Sequence, residues 1–123
     1  MARIRHIALF ARDTHAQAEF YVKTFGMHEV MRRDTPNGAV YLSDGYINLA
    51  VLPADHPESD GSPEGLHHFG FEVDDVDGVA AQAIAAGATQ GRSNVPRDGR
   101  YAEAYIKDPA GQRVDLSATG WAV

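Results

Sequence analysis

The chain has 123 residues, 44% of them apolar and 23% charged, with a formal net charge of −6 when the histidines are neutral. This length and balance predict one soluble domain over residues 1–123, and the acidic balance argues against nucleic acid or a membrane as a partner. Because there is no cysteine, disulfides, zinc–thiolate sites and cysteine nucleophiles are excluded. The N-terminal apolar run is too short for a signal or membrane segment, so we expect a cytoplasmic location.

The first part of the sequence has the pattern of one strand, one helix and three further strands. Apolar residues recur at helical spacing between Ala16 and Phe25, with Asp13 as the predicted N-cap and Gly26 as the stop. The predicted strands are residues 3–11, 27–33, 39–43 and 46–52. These elements form a first module over residues 1–53.

The second part begins after a segment rich in proline, glycine, serine and acidic residues, which predicts a linker over residues 54–65. A second module then covers residues 66–123. Its predicted elements are a strand at 66–73, the cap Asp75, a helix at 76–87 ended by Gly87, and strands at 100–108 and 112–117.

The second module repeats the first. Aligning His6 with His68 brings the two helix caps, Asp13 and Asp75, to the same offset. Further pairs are Tyr41 with Tyr105, Asp44 with Asp108, and Asn48 with Asp115. The sequence therefore predicts an α+β fold of two strand–helix–three-strand modules.

Alternation along the predicted strands separates an apolar face from a polar one. The polar face carries His6, Asn48, His68 and Asp115, whereas His67 has the parity of the phenylalanines, so we expect it to be structural or at an edge. Two imidazoles and one carboxylate are a set that binds divalent metals and is typical of non-heme Fe(II) sites.

Several segments carry a resemblance to a known family. The pattern "HIALFARD…AEFYVKTFGM…INLAV…HFGFEVDD…YIKDPAGQRVDL" resembles the vicinal oxygen chelate superfamily, which includes glyoxalase I, extradiol dioxygenases, methylmalonyl-CoA epimerase and the fosfomycin and bleomycin resistance proteins. The resemblance implies two paired βαβββ modules whose curled mixed sheets surround a metal or ligand cavity. It also implies a homodimer.

The ligand positions that this resemblance implies are His6, Asn48, His68 and Asp115. Asn48 stands where glyoxalase I has a glutamate, and an amide is not a general base near neutral pH, so glyoxalase I activity is not expected. The tail of the extradiol signature is similar to "YIKDPAGQRVD", but the histidine that this signature has upstream of the tyrosine is missing.

The leading hypothesis is a divalent-metal enzyme that acts on a small substrate with vicinal oxygens. His6, His68 and Asp115 are the expected metal ligands, and Tyr105 and Glu72 are the candidate catalytic residues. The alternative for Tyr105 is a tyrosine that packs on the sheet, and the alternative for Glu72 is a solvated charge at the end of a strand. Arg100 and Arg113 are candidate sites for an anionic substrate, with surface arginines as the alternative.

Three readings remain open at this point, and the first is a metal-dependent enzyme. An Fe(II) dioxygenase is preferred because of the two histidines and one carboxylate, and an isomerase, epimerase or lyase would use Ni(II), Co(II), Zn(II) or Mn(II). A metal-free binding or resistance protein, the second reading, would instead take a cationic ligand in an apolar, aromatic cleft with acids. A dimer whose polar cavity residues are relics is the third reading.

Overall fold

A computed structural model describes residues 1–56, 59, 61–93 and 102–123. The elements are β1 (Arg3–Ala11), α1 (Thr14–Phe25), β2 (His28–Arg32), β3 (Val40–Ser43), β4 (Asn48–Pro53), β5 (Gly65–Glu72), α2 (Val76–Ala85), β6 (Thr89–Ser93), β7 (Ala104–Lys107) and β8 (Arg113–Ser117). These residues form two compact units. The N-terminal unit consists of Ile7–His67 and Val123, and the C-terminal unit consists of Met1–His6 and His68–Ala122.

In the N-terminal unit, β3 pairs antiparallel with β2 and with β4. Helix α1 begins where the Asp13 carboxylate accepts a hydrogen bond from the Ala16 N–H at 3.0 Å, and it ends at Gly26, whose φ is 71°. The alternate residues of β1 that the sequence assigns to the apolar face pack in one cluster, which consists of Leu9, Ala11, Ala18, Val40, Leu42, Leu49 and Val51. The other face of these strands, which the sequence predicts to be polar, carries a second buried apolar cluster of Ala8, Phe10, Ala39, Tyr41, Ala50 and Leu52.

In the C-terminal unit, β5 is parallel to β8, while β8 and β6 both pair antiparallel with β7. The Asp75 carboxylate caps α2 by accepting from the Gly78 N–H at 3.0 Å. The apolar core consists of Val73, Val76, Ala104, Ile106, Val114 and Leu116, with Phe69 and Phe71 packed against it. The opposite side of β5 and β8 is left for polar residues.

The α+β class and the two strand–helix–three-strand modules are confirmed. The sequence missed β6 as a separate strand, because its residues "TQGRS" lack an apolar alternation. Helix α2 ends at Ala85 rather than at the predicted Gly87. The predicted strand at 100–108 includes Arg100, which lies outside the described residues, and the described strand is β7.

The single domain over residues 1–123 and the linker at 54–65 stay predictions. Among the described residues, neither helix is long and apolar enough to span a bilayer.

Candidate metal centre

Three neighbouring strand segments of the C-terminal unit position the candidate ligands. Asp115 on β8 lies opposite Gly70 in the parallel pairing with β5. His68 is two residues before Gly70, so its side chain lies on the same face of the sheet as that of Asp115. His6 comes from the first residues of β1, which belong to this unit.

His6, His68 and Asp115 form a compact buried cluster. Each offers one ligand atom, and these atoms all lie within 4.8 Å of one another. The exposed fractions of the three residues are 4%, 5% and 3%, respectively. The Nε2 atom of His68 is 3.3 Å from Oδ2 of Asp115, and the two imidazole centroids are 5.4 Å apart.

The Asp115 carboxylate carries charge despite its burial. Its Oδ1 accepts a hydrogen bond from Arg113 Nε at 2.8 Å, and its Oδ2 accepts one from Arg113 Nη2 at 3.4 Å. Burial by itself raises the pKa of Asp115, but the hydrogen bond and charge of His68 and the Arg113 guanidinium outweigh burial and hold this pKa at about 2. Asp115 is therefore an ionised donor at neutral pH.

This donor set fits a divalent metal ion. An ion bound at about 2.1 Å from each donor holds adjacent donors about 3 Å apart, close to the 3.3 Å between His68 Nε2 and Asp115 Oδ2. Imidazole and carboxylate together suit first-row metals such as iron, nickel, cobalt and zinc. Three protein ligands also leave coordination positions open to a substrate.

Tyr105 and Arg113 lie beside the cluster. Tyr105 pairs in register with Asp115 across β7 and β8, so both side chains leave the same face of the sheet. The Arg113 guanidinium carbon is 4.2 Å from the centroid of the Tyr105 ring. Because Arg113 already bonds the Asp115 carboxylate, its position favours a role in charge compensation over direct binding of an anionic substrate.

Glu72 is in a different position. It lies four residues after His68, about 13 Å along an extended strand. Its Oε2 atom forms an ion pair with Arg5 Nη1 at 3.0 Å. This placement favours the alternative reading, in which Glu72 is a charge at the end of a strand and not a catalytic residue.

The remaining sequence candidates belong to the N-terminal unit or lie outside the described residues. Asn48 is buried in β4 and pairs in register with Ser43. The His67 ring packs edge-on against Phe10, with centroids 4.9 Å apart, as a structural residue would. Arg100 is outside the described residues.

Sequence reasoning missed two buried residues of the C-terminal unit. Trp121 stacks on His6, with centroids 4.7 Å apart and planes 4° apart. Glu103 is 4% exposed and accepts hydrogen bonds from the backbone of Ala118 and Thr119. The one available signal was composition, because Trp121 is the chain's single tryptophan.

Sequence comparisons identify two relatives among known proteins. The uncharacterized protein YaeR of Escherichia coli (strain K12) is 36% identical over 89 residues, which cover 66% of this chain and 68% of YaeR. The ethylmalonyl-CoA/methylmalonyl-CoA epimerase of Cereibacter sphaeroides is 26% identical over 130 residues, covering 94% of this chain and 97% of the epimerase.

One solved structure matches the fold of this chain over nearly its whole length. A variant of the Streptomyces coelicolor methylmalonyl-CoA epimerase, in complex with 2-nitronate-propionyl-CoA, matches with a TM-score of 0.68 and 26% identity. The match covers 98% of each chain. The family model that describes the Glyoxalase/Bleomycin resistance protein/Dioxygenase superfamily matches residues 3–116. The chain therefore belongs to this superfamily, as its resemblance to the vicinal oxygen chelate proteins predicts.

Proposed function

We propose that this protein is a divalent-metal-dependent enzyme that acts on a small substrate with vicinal oxygens. The observation that carries the proposal is the buried cluster of His6, His68 and Asp115, whose ligand atoms lie within 4.8 Å of one another. Arg113 and His68 offset the cost of burying the Asp115 carboxylate and keep it ionised. An ionised carboxylate beside two imidazoles is a donor set that suits a divalent ion.

The reaction class that we place first is isomerisation or epimerisation at a carbon next to a carbonyl. The two epimerases, each 26% identical to this chain over nearly its full length, support this choice. A bound divalent ion would act as a Lewis acid on the substrate oxygens. The substrate class that follows is an acyl thioester or another small compound with two neighbouring oxygens.

Two side chains of this chain would serve the reaction beside the ligands. Tyr105 lies across from Asp115 and is the candidate that hydrogen-bonds or carries a proton at a substrate oxygen. Arg113 offsets the charge of Asp115 and so limits the negative charge that the site presents to an anionic substrate. We expect Tyr105→Phe to lower turnover roughly a hundredfold, because it removes the hydroxyl that carries the proton.

An Fe(II) dioxygenase is the second candidate. It is favoured by the ligand types, because two histidines and one carboxylate with open positions are typical of non-heme Fe(II) oxygenases. The two candidates are separated by substrate assays. Deuterium exchange from D₂O into a malonyl-type thioester supports the epimerase reading, and oxygen uptake with a panel of catechols supports the dioxygenase reading.

A homodimer and a cytoplasmic location belong to the same proposal. Phe20 and Phe25 on α1 are 53% and 65% exposed, and a partner subunit would cover such aromatic surface. Sedimentation of the wild type and of Phe25→Asp tests this. A monomeric wild type contradicts the dimer.

The metal itself is tested by elemental mass spectrometry on protein purified without a histidine tag. We expect about one first-row metal ion per chain in the wild type and none in His68→Ala. His28→Ala is the matched control, because His28 is an exposed histidine on β2. Equally poor binding in all three proteins after reloading with Fe(II), Ni(II) and Zn(II) contradicts the proposal and turns attention to a metal-free binding protein.

A further inference from the structure

The segment after β8 returns to the candidate metal centre. The Ser117 Oγ accepts a hydrogen bond from the Gly120 N–H at 2.9 Å, which closes a turn over residues 117–120. Trp121 follows at once and is 7% exposed. Its indole lies flat on the His6 imidazole, with ring centroids 4.7 Å apart and planes inclined by 4°.

A buried carboxylate holds this turn in place. Glu103 accepts hydrogen bonds from the Ala118 N–H at 3.2 Å, from the Thr119 N–H at 3.2 Å and from the Thr119 hydroxyl at 3.0 Å. Backbone donors bonded to a buried carboxylate are strongly restrained. The hydrogen bonds of Glu103 to the turn therefore restrain the position of Trp121, which follows that turn.

Gly70 provides the space that the indole occupies. A Cβ atom at this position would lie 2.7 Å from Cη2 of Trp121 and 3.2 Å from Cβ of Asp115. The Gly70 backbone is not in the left-handed region, so the requirement for glycine at this position is steric. Gly70 thus admits the indole directly beside the strand pair that carries His68 and Asp115.

We propose that Trp121 is a positioning residue of the metal centre, which holds the His6 ring and preferentially stabilises its metal-bound form. The inference rests on the proposed metal site. Ligation withdraws electron density from an imidazole, and an electron-rich indole face attracts an electron-poor ring more strongly than a neutral one. The stacked indole also covers one face of His6 and limits the ring's rotation before the metal arrives.

The expected consequence is a specific loss of metal affinity. Removal of groups that orient a metal ligand typically lowers affinity 10–100-fold, so we expect Trp121→Ala to weaken Co(II) binding roughly tenfold. Trp121→Phe retains an aromatic face and restores most of the affinity. Gly70→Ala displaces the indole without removing it, and we expect a loss similar to that of Trp121→Ala.

The experiment is a titration of the untagged protein with Co(II), followed by calorimetry and by tryptophan emission. Because Trp121 is the single tryptophan, the emission of the wild type reports on this side chain alone. We expect Co(II) to quench the emission in the wild type but not in His6→Ala. Tyr46→Ala is the matched control, since it removes an aromatic ring that is 44% exposed in the N-terminal unit.

Each outcome decides the inference. Wild-type affinity in a folded Trp121→Ala, or unchanged emission when the wild type is saturated with Co(II), overturns the role of Trp121 while leaving the metal site intact. A wild type that binds no Co(II) overturns both proposals. If circular dichroism shows that Trp121→Ala is unfolded, Gly70→Ala decides the matter, because a roughly tenfold loss of Co(II) affinity in this folded variant supports the inference and wild-type affinity overturns it.

Discussion

Asp115 is the residue at which burial and charge are most directly opposed. It is 3% exposed, yet its pKa lies near 2 because burial, which raises the pKa, is outweighed by His68 and Arg113. An aspartate without partners would be expected to become neutral in such surroundings. The charge of Asp115 is therefore maintained by its neighbours, and the stability of the fold is linked to its ionisation.

The sign of this linkage gives a prediction. The folded-state pKa of about 2 is below the ordinary value of 3.8, so Asp115 contributes stability that is fully present above pH 4 and is lost as pH falls toward 2. In metal-free buffer, we expect the free energy of unfolding to fall by about 2 kcal/mol more in the wild type than in Asp115→Asn across this window. Denaturant titrations at several pH values measure it.

Arg113→Gln is the companion variant for this prediction. It retains the Asp115 carboxylate but removes the guanidinium that helps to lower its pKa, so the acid-dependent loss of stability should be smaller and should be complete at a higher pH. Identical pH profiles for the wild type and both variants would contradict the role assigned to these contacts.

Parity along the strands was sufficient to place the three candidate ligands on one face, but it did not find Trp121, which stacks on His6. His6, His68 and Asp115 lie on regular strands, where alternation fixes the face of each side chain. Trp121 follows a turn after the last strand, and no periodicity extends there. Its position depends on Glu103 and Gly70, which are far from it in sequence.

At the scale of elements, the turn that follows β8 is held by Glu103, the most buried glutamate of the described residues. Glu103 immediately precedes β7, and three of the hydrogen bonds that it accepts come from Ala118 and Thr119 in the turn that follows β8. Burial raises the pKa of Glu103, but the hydrogen bonds from Ser117, from its own backbone and from Thr119 outweigh burial and hold this pKa below its ordinary value. The carboxylate form is therefore the one that the fold requires.

Glu103→Gln is expected to destabilise the protein. The amide retains one acceptor oxygen in place of two and brings an N–H₂ group against backbone donors, so we expect a loss of about 1–3 kcal/mol in the free energy of unfolding. Denaturant titration near pH 7 measures this. Glu19→Gln is the control and should unfold like the wild type, because Glu19 is an exposed residue of α1 whose ion pair with Lys23 is a surface pair that contributes little. Equal stability of both variants would show that the turn does not depend on Glu103.

Local signals explain which elements the sequence predicted well. The caps Asp13 and Asp75 were found because a side chain that bonds an N–H three residues away is a local feature. Strand β6 was missed because its residues have no apolar alternation, and its pairing with β7 is a tertiary contact. Helix α2 ends at Ala85, two residues before the predicted Gly87, because Ala86 is already the C-cap.

At the scale of the molecule, the candidate ligands come from three distant parts of the chain. His6, His68 and Asp115 meet only after β1, β5 and β8 have formed, so an unfolded chain offers no equivalent site. A ligand that binds only the folded state stabilises it by mass action. Metal binding at this cluster should therefore raise the resistance of the whole protein to heat.

With Co(II) at a hundredfold excess over its dissociation constant, the stabilisation is about 2.7 kcal/mol, which corresponds to a rise in Tm on the order of 10 °C for a chain of this size. We expect this rise in the wild type and in His28→Ala, and none in Asp115→Asn. Calorimetric scans with Co(II) and with a chelator measure the difference. A full shift in Asp115→Asn would mean that the metal binds elsewhere on the protein, because the cluster has then lost its only carboxylate.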